Sequence, residues 1–175
     1  MKSWKKAGSI CVVGSIIALV LADFSGETRT REPGLELIGK AEGCRRDPYH
    51  CPSNVLTVGI GSTASSGEPI DPNKRYSDKE IAKRWVEDIK RAEECVNLHA
   101  NGRLLPQGAF EAATSITFNV GCGAMQKSTL FRYARQGNIK AMCNEFPRWK
   151  YAGGKVLPGL VKRRSAEKAL CLSSI

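Results

Sequence analysis

The chain contains two histidines, His50 and His99, no Cys-x-x-Cys pair, no internal repeat and no low-complexity segment. The first two absences remove the ligand spacing of a structural zinc site, so no metal is expected. Without repeats, 175 residues make one well-cored domain or one domain in two lobes. A long apolar run is also lacking. The uncharged stretch from Ala7 to Ala22 would extend about 24 Å as a helix, short of the ~30 Å hydrocarbon core of a bilayer.

What is abundant is positive charge and cysteine. Lysine and arginine number 27 against 17 acidic residues, a net +10 that favours an anionic partner. Cell wall, anionic lipid and nucleic acid satisfy that charge equally. Seven cysteines point to an oxidising compartment, and an odd count leaves one thiol over.

Lys2, Lys5 and Lys6 precede the uncharged stretch and none lies within it. That asymmetry predicts an amino terminus kept in the cytoplasm and an exported carboxyl portion. Val20-Leu21-Ala22 could serve as a signal-peptidase site. Alternatively Gly8, Ser9, Gly14 and Ser15 weaken insertion enough for an uncleaved anchor to leave the bilayer.

Asp23 to Pro33 reads as a polar linker. Leu35 to Ala41 forms a short amphipathic helix ended by Gly43, and Arg46 to Thr63 a small antiparallel sheet. Ala64 to Tyr76 is loop. Ser77 and Glu80 form a capping box ahead of a stripe of Ile81, Trp85, Ile89, Ala92 and Val96. A second helix starts near Pro106, with Gly121 and Gly123 as breakers. Helical patterns return at 128–135, 139–144 and 161–172. One small sheet followed by helices is an α+β arrangement, mainly α, in two lobes.

The chemistry concentrates in Glu42 to Gly61, EGCRRDPYHCPSNVLTVGIG. Eight residues separate Glu42 from Cys51 and five separate Cys51 from Thr57. This spacing resembles the signature of phage-type lysozymes of the T-even fold, glycoside hydrolase family 24. There the middle position is usually aspartate and in a subset cysteine. The resemblance runs from about Leu35 to Leu172, through Phe118 to Gly121 (FNVG) and Leu157 to Arg164 (LPGLVKRR).

It implies the two-lobed phage lysozyme fold and a muramidase cutting the β-1,4 bond between N-acetylmuramic acid and N-acetylglucosamine, with no cofactor. Glu42 would be the acid, Cys51 the water-activating group and Thr57 the holder of the attacking water. Asp47, the rival carboxylate, reads as a turn former, while Arg45, Arg46 and His50 would favour a Cys51 thiolate. Phage lysozymes of this kind often carry a signal-anchor-release segment, which residues 1–24 would supply, with the lysozyme domain at 25–175. The host Sec translocon, inner membrane and peptidoglycan become the expected partners, with no nucleic acid and a monomeric enzyme. The protein would begin as a single-pass inner-membrane protein and end soluble in the periplasm.

Some members are also held inactive by a disulfide. Here a Cys44–Cys51 bond would consume the thiol until Cys11, freed from the bilayer, attacked Cys44 and released Cys51. Cys95, Cys122, Cys143 and Cys171 would form two structural bridges, with all three pairings open. Trp85 and Trp149 are expected in the core, and Lys162, Arg163 and Arg164 on a solvated helix face. Two rival functions remain: a lytic transglycosylase using Glu42 alone, and an inactive basic wall-binding protein.

Overall fold

A computed structural model of the protein describes residues 9–64 and 67–175. The three lysines expected to fix topology lie outside the described residues. The longest element is α3, Asp78–His99, and its start is chemically over-determined. The Glu80 carboxylate accepts from the Ser77 N–H at 3.0 Å while Ser77 Oγ accepts from the Glu80 N–H. This reciprocal cap satisfies donors that a helix terminus otherwise leaves open. Trp85, Ile89 and their neighbours are buried in one core, whereas Cys95 and Val96 belong to a second. Helix α3 therefore connects two lobes, each with its own apolar centre.

The small lobe holds α1, Val13–Asp23, and α2, Glu32–Glu42, with a three-stranded antiparallel sheet: β1, Arg45–His50; β2, Leu56–Gly59; β3, Ser62–Thr63. Tyr49 pairs with Thr57 and Thr57 with Thr63. No helix among the described residues is long and apolar enough to cross a membrane. Instead α1 buries Ile16, Ile17 and Val20 in the small-lobe core. The close approach needs glycine at position 39, where a Cβ would lie 2.5 Å from Val13 Cγ1.

Ahead of α1 the chain runs beside β1. Ile10 bridges Arg45, the Arg46 N–H donates to Ser9 O at 2.9 Å and the Cys11 N–H to Cys44 O at 3.3 Å. Asp47, expected as a turn former, sits in an irregular part of β1 and accepts from the Ser9 N–H at 2.7 Å. The expected linker is also tied down. Glu93 accepts from the N–H groups of Arg29 and Thr30 and from the Thr30 hydroxyl, and Arg29 donates to the Gly102 and Leu105 carbonyls.

The helical lobe comprises α4, Gln107–Val120; α5, Cys122–Met125; α6, Thr129–Arg135; α7, Ile139–Glu145; and α8, Pro158–Leu172. Gly121 separates α4 from α5, but Gly123 lies inside α5. Between α7 and α8 a hairpin pairs β4, Tyr151–Ala152, with β5, Lys155–Val156. Its turn places Gly153 and Gly154 at φ +55° and +76°, a conformation glycine adopts without penalty. Three disulfides form: Cys11–Cys44, Cys95–Cys122 and Cys143–Cys171.

Candidate active site

Cys51 is the free cysteine among the described residues. It opens the turn between β1 and β2: its N–H donates to Val55 O at 3.0 Å and its carbonyl accepts from the Asn54 N–H at 2.8 Å. Asn54 takes the left-handed conformation that closes this turn, at φ +59°. The hydrogen bond from the Val55 backbone holds the Cys51 thiol below its ordinary range, against the opposing effect of partial burial. Ser53 and the Thr57 hydroxyl add to that lowering. The expected basic helpers are engaged elsewhere. Arg45 stacks 4.3 Å over the Tyr49 ring, and Arg46 pairs with Asp78 at 2.7 Å.

Thr57 is buried on β2, and its hydroxyl reaches both the Val55 carbonyl, at 2.9 Å, and the Cys51 sulfur. A single proton serves these two acceptors, so donation to one leaves the other. Tyr49, opposite Thr57 in the sheet, feels the charge of both Glu42 and Cys51. Burial pushes its phenol up, the Arg45 guanidinium stacked on it opposes, and Glu42 and Cys51 push the same way as burial. Tyr49 thus senses both the predicted acid and the predicted thiol, although nothing in its sequence context marks it.

Glu42 is the last residue of α2, which Gly43 terminates at φ +71°. Its side chain is 23% exposed, and Oε1 accepts from Arg163 Nη1 at 2.6 Å. The second oxygen faces Gly61, where a Cβ would approach Glu42 Oε2 to 3.5 Å and the Phe118 ring to 3.6 Å. On the α8 side of Glu42 a groove is lined by Leu37, Lys40, Asn119, Leu160 and Lys162. The expected solvated face at 162–164 is corrected here: Arg163 and Arg164 are buried, at 7% and 0% exposure. A guanidinium in direct contact in space is 121 positions away in sequence, so no local pattern announces it.

Cys95, His99 and Cys122 form a metal-like cluster, but the two cysteines are bonded to each other and offer no thiolate. Trp85 is fully buried, as expected, and Trp149 is half-buried against the helical core.

Comparison with known proteins matches this framework. The phage lysozyme family model covers residues 39–167. The SAR-endolysin of Escherichia phage P1 is 39% identical over 96% of this chain and 94% of its own length. The crystal structure of the active form of the phage P1 endolysin superposes with a TM-score of 0.86 at 39% identity, covering 95% of this chain and 97% of that one. The secreted inactive form of the same endolysin matches less fully, with a TM-score of 0.57 over 82% of this chain and 96% of that one. With the family model spanning residues 39–167 and a relative 39% identical over nearly the whole of both chains, this chain belongs to the phage lysozymes.

Proposed function

We propose that the protein is a phage endolysin that hydrolyses the β-1,4 bond between N-acetylmuramic acid and N-acetylglucosamine of peptidoglycan. Glu42 protonates the glycosidic oxygen. Arg163 holds Oε1, which leaves Oε2 to carry the transferable proton toward Gly61. Cys51, as thiolate, and the Thr57 hydroxyl hold a water for attack on the opposite face of the sugar ring. The observation that carries this reading is the free, acid-shifted Cys51 thiol packed beside Thr57.

Activity is governed by which thiol Cys44 is bonded to. In the exported, anchored protein Cys44 pairs with Cys51. On release the Cys11 thiolate attacks Cys44 Sγ, the Cys11–Cys44 bond forms, the Cys44–Cys51 bond breaks and Cys51 leaves as thiolate. One thiol is consumed and one produced, so no external oxidant or reductant is required. Support comes from the Cys11–Cys44 bond with Cys51 free, the pairing such an exchange would leave. Strand-like pairing of residues 9–11 with β1 and the burial of α1 supply the contacts that favour it.

The test is lysis of outer-membrane-permeabilised Gram-negative cells by the full chain and by Cys11→Ser, each with and without a mild reductant. The full chain is required because α1 contributes Ile16, Ile17 and Val20 to the core. Cys11→Ser should be silent alone and active when reduced. Activity without reductant would remove the cage and leave the lysozyme. Full activity of Glu42→Gln would remove the enzyme reading. Reducing sugar ends in the product, rather than anhydro ends, separate hydrolysis from transglycosylation.

A further inference from the structure

Behind Glu42 the two arginines of α8 converge on a carboxylate that solvent does not reach. Glu167 is 0% exposed. Its Oε1 accepts from Ser115 Oγ at 2.7 Å and from Arg163 Nε at 3.2 Å. Its Oε2 lies 2.8 Å from Arg164 Nη1, an ion pair outside good hydrogen-bond angles. Each arginine then reaches onward in a different direction. Arg163 Nη1 meets Glu42 Oε1 at 2.6 Å, and Arg164 Nη2 donates to Asn119 Oδ1.

Packing alone does not call for this arrangement. Burying a carboxylate and two guanidiniums is costly, and apolar residues of similar volume hold helices together as well or better. Burial by itself pushes the Glu167 carboxyl up, and the two arginines oppose that push. The geometry shows what the charges accomplish. A guanidinium is a rigid planar fork, so fixing two of its nitrogens fixes the third. Arg163 Nε is held by Glu167 and Nη2 by the Ser115 carbonyl at 3.2 Å, which aims Nη1 at Glu42. Arg164 can only donate, so it holds the Asn119 carbonyl oxygen and turns the amide nitrogen away from itself.

We infer that Glu167 is a positioning residue for the reaction: it fixes the Arg163 fork and shares its charge, so that Nη1 holds Glu42 Oε1 in one orientation. Through Arg164 the same carboxylate sets the orientation of Asn119 in the groove. The inference rests on Glu42 being the glycosidic acid.

The charged and titratable groups around Glu42 are Arg163 and, more remotely, Arg164 from α8, Lys162 of the same helix and Lys40 of α2 along the groove, and Tyr49 from β1. Removing the Glu167 charge leaves Arg163 neutralised by Glu42 alone. An unshared positive charge favours the ionised acid, which must be protonated to work, so activity is lost at lower pH.

The experiment is Glu167→Gln in the full-length active protein, read as a pH–rate profile on solubilised peptidoglycan well below the melting temperature. The expected result is a fall in kcat of about tenfold, KM within roughly a factor of two, and the alkaline limb displaced downward by about one pH unit. Ser115→Ala removes one hydrogen bond to Glu167 Oε1 and should move the same limb in the same direction by less. It decides the matter if Glu167→Gln does not fold. Unmoved limbs in the folded variants, with activity tracking only the folded fraction, would reduce Glu167 to a structural staple and overturn the inference. Glu42→Gln serves as the control for the underlying reading: retained activity there sinks the acid assignment whatever the Glu167 variants do.

Discussion

On the proposed exchange, the two lobes use one kind of bond to different ends. In the helical lobe Cys95–Cys122 joins α3 to α5 and Cys143–Cys171 joins α7 to α8, with no third thiol in that core among the described residues. In the small lobe Cys11–Cys44 ties the amino-terminal segment to the end of α2, and free Cys51 lies just beyond β1. A disulfide out of reach of other thiols is a staple. One with a thiol close in the chain can exchange. The difference is one of neighbours, since both kinds have ordinary Cα separations, 5.1 Å for Cys11–Cys44 and 5.6 Å for Cys143–Cys171.

The sharpest way to break this comparison is to remove one bond of each kind. Cys11→Ser should abolish lysis without reductant and recover it with reductant. The double change Cys143→Ser with Cys171→Ser should stay lytic without reductant while losing about 2–4 kcal/mol in a denaturant titration. Equal behaviour of the two would erase the distinction between staple and switch.

Replacing the switched thiol is next in size. Cys51→Asp should be active without reductant, because an aspartate cannot be caged, and its acid limb should reach lower pH than that of the natural protein. A carboxylate loses its proton well below a thiol, even one whose pKa is lowered by the Val55 backbone. Cys51→Ser, offering neither thiolate nor carboxylate, should be inactive under both conditions.

Gly39→Leu tests the docking of α1. The added Cβ meets Val13 Cγ1 at 2.5 Å, so docking is obstructed and Cys11 is kept from Cys44. Lysis should fall by about tenfold, a penalty of ~1.4 kcal/mol or more on docking, and return with reductant. Peptide mapping should find Cys44–Cys51 retained. Gly159→Ala, in open space on α8, should change neither.

The smallest effect concerns the α3 cap. Ser77→Ala should cost about 1 kcal/mol in thermal or denaturant unfolding. Glu80, held down to about 2 by the Lys74 ammonium and then by the Ser77 backbone, is depressed in the folded state. Its contribution is therefore present above pH ~4.5 and fades as pH falls from there through about 2. The residue is partly solvated, so salt should blunt that loss.

Regular elements were legible because their signals are local. The stripe from Ile81 to Val96 and the Ser77–Glu80 box predict α3, and the alternation through Val58 predicts β2. Glu42, Cys51 and Thr57 are proposed because their spacing along one continuous stretch resembles the family's signature. What escaped is decided at long range. Arg163 reads as solvated because lysine and arginine at helix positions usually are, and only folding brings it to Glu42. The segment at 23–33 reads as a linker because its partners, Glu93 and Gly102, lie some 70 positions on. The β4–β5 hairpin has two residues per strand, too few for any alternation to register. Pairing among four helical-lobe cysteines depends on how α3, α5, α7 and α8 pack, which periodicity does not encode.

Helix α1 turns Ile16, Ile17 and Val20 inward and leaves Ser15 and Ala18 outward. On the proposed release, the side chains of this helix up to Ala22 are first solvated by lipid and later sorted by face. An apolar change on the outward side, such as Ser15→Leu or Ala18→Leu, lengthens the stay in lipid and leaves the folded core untouched. An inward change alters both. The moment of lysis and the durability of the enzyme can therefore be adjusted separately, on opposite sides of eleven residues.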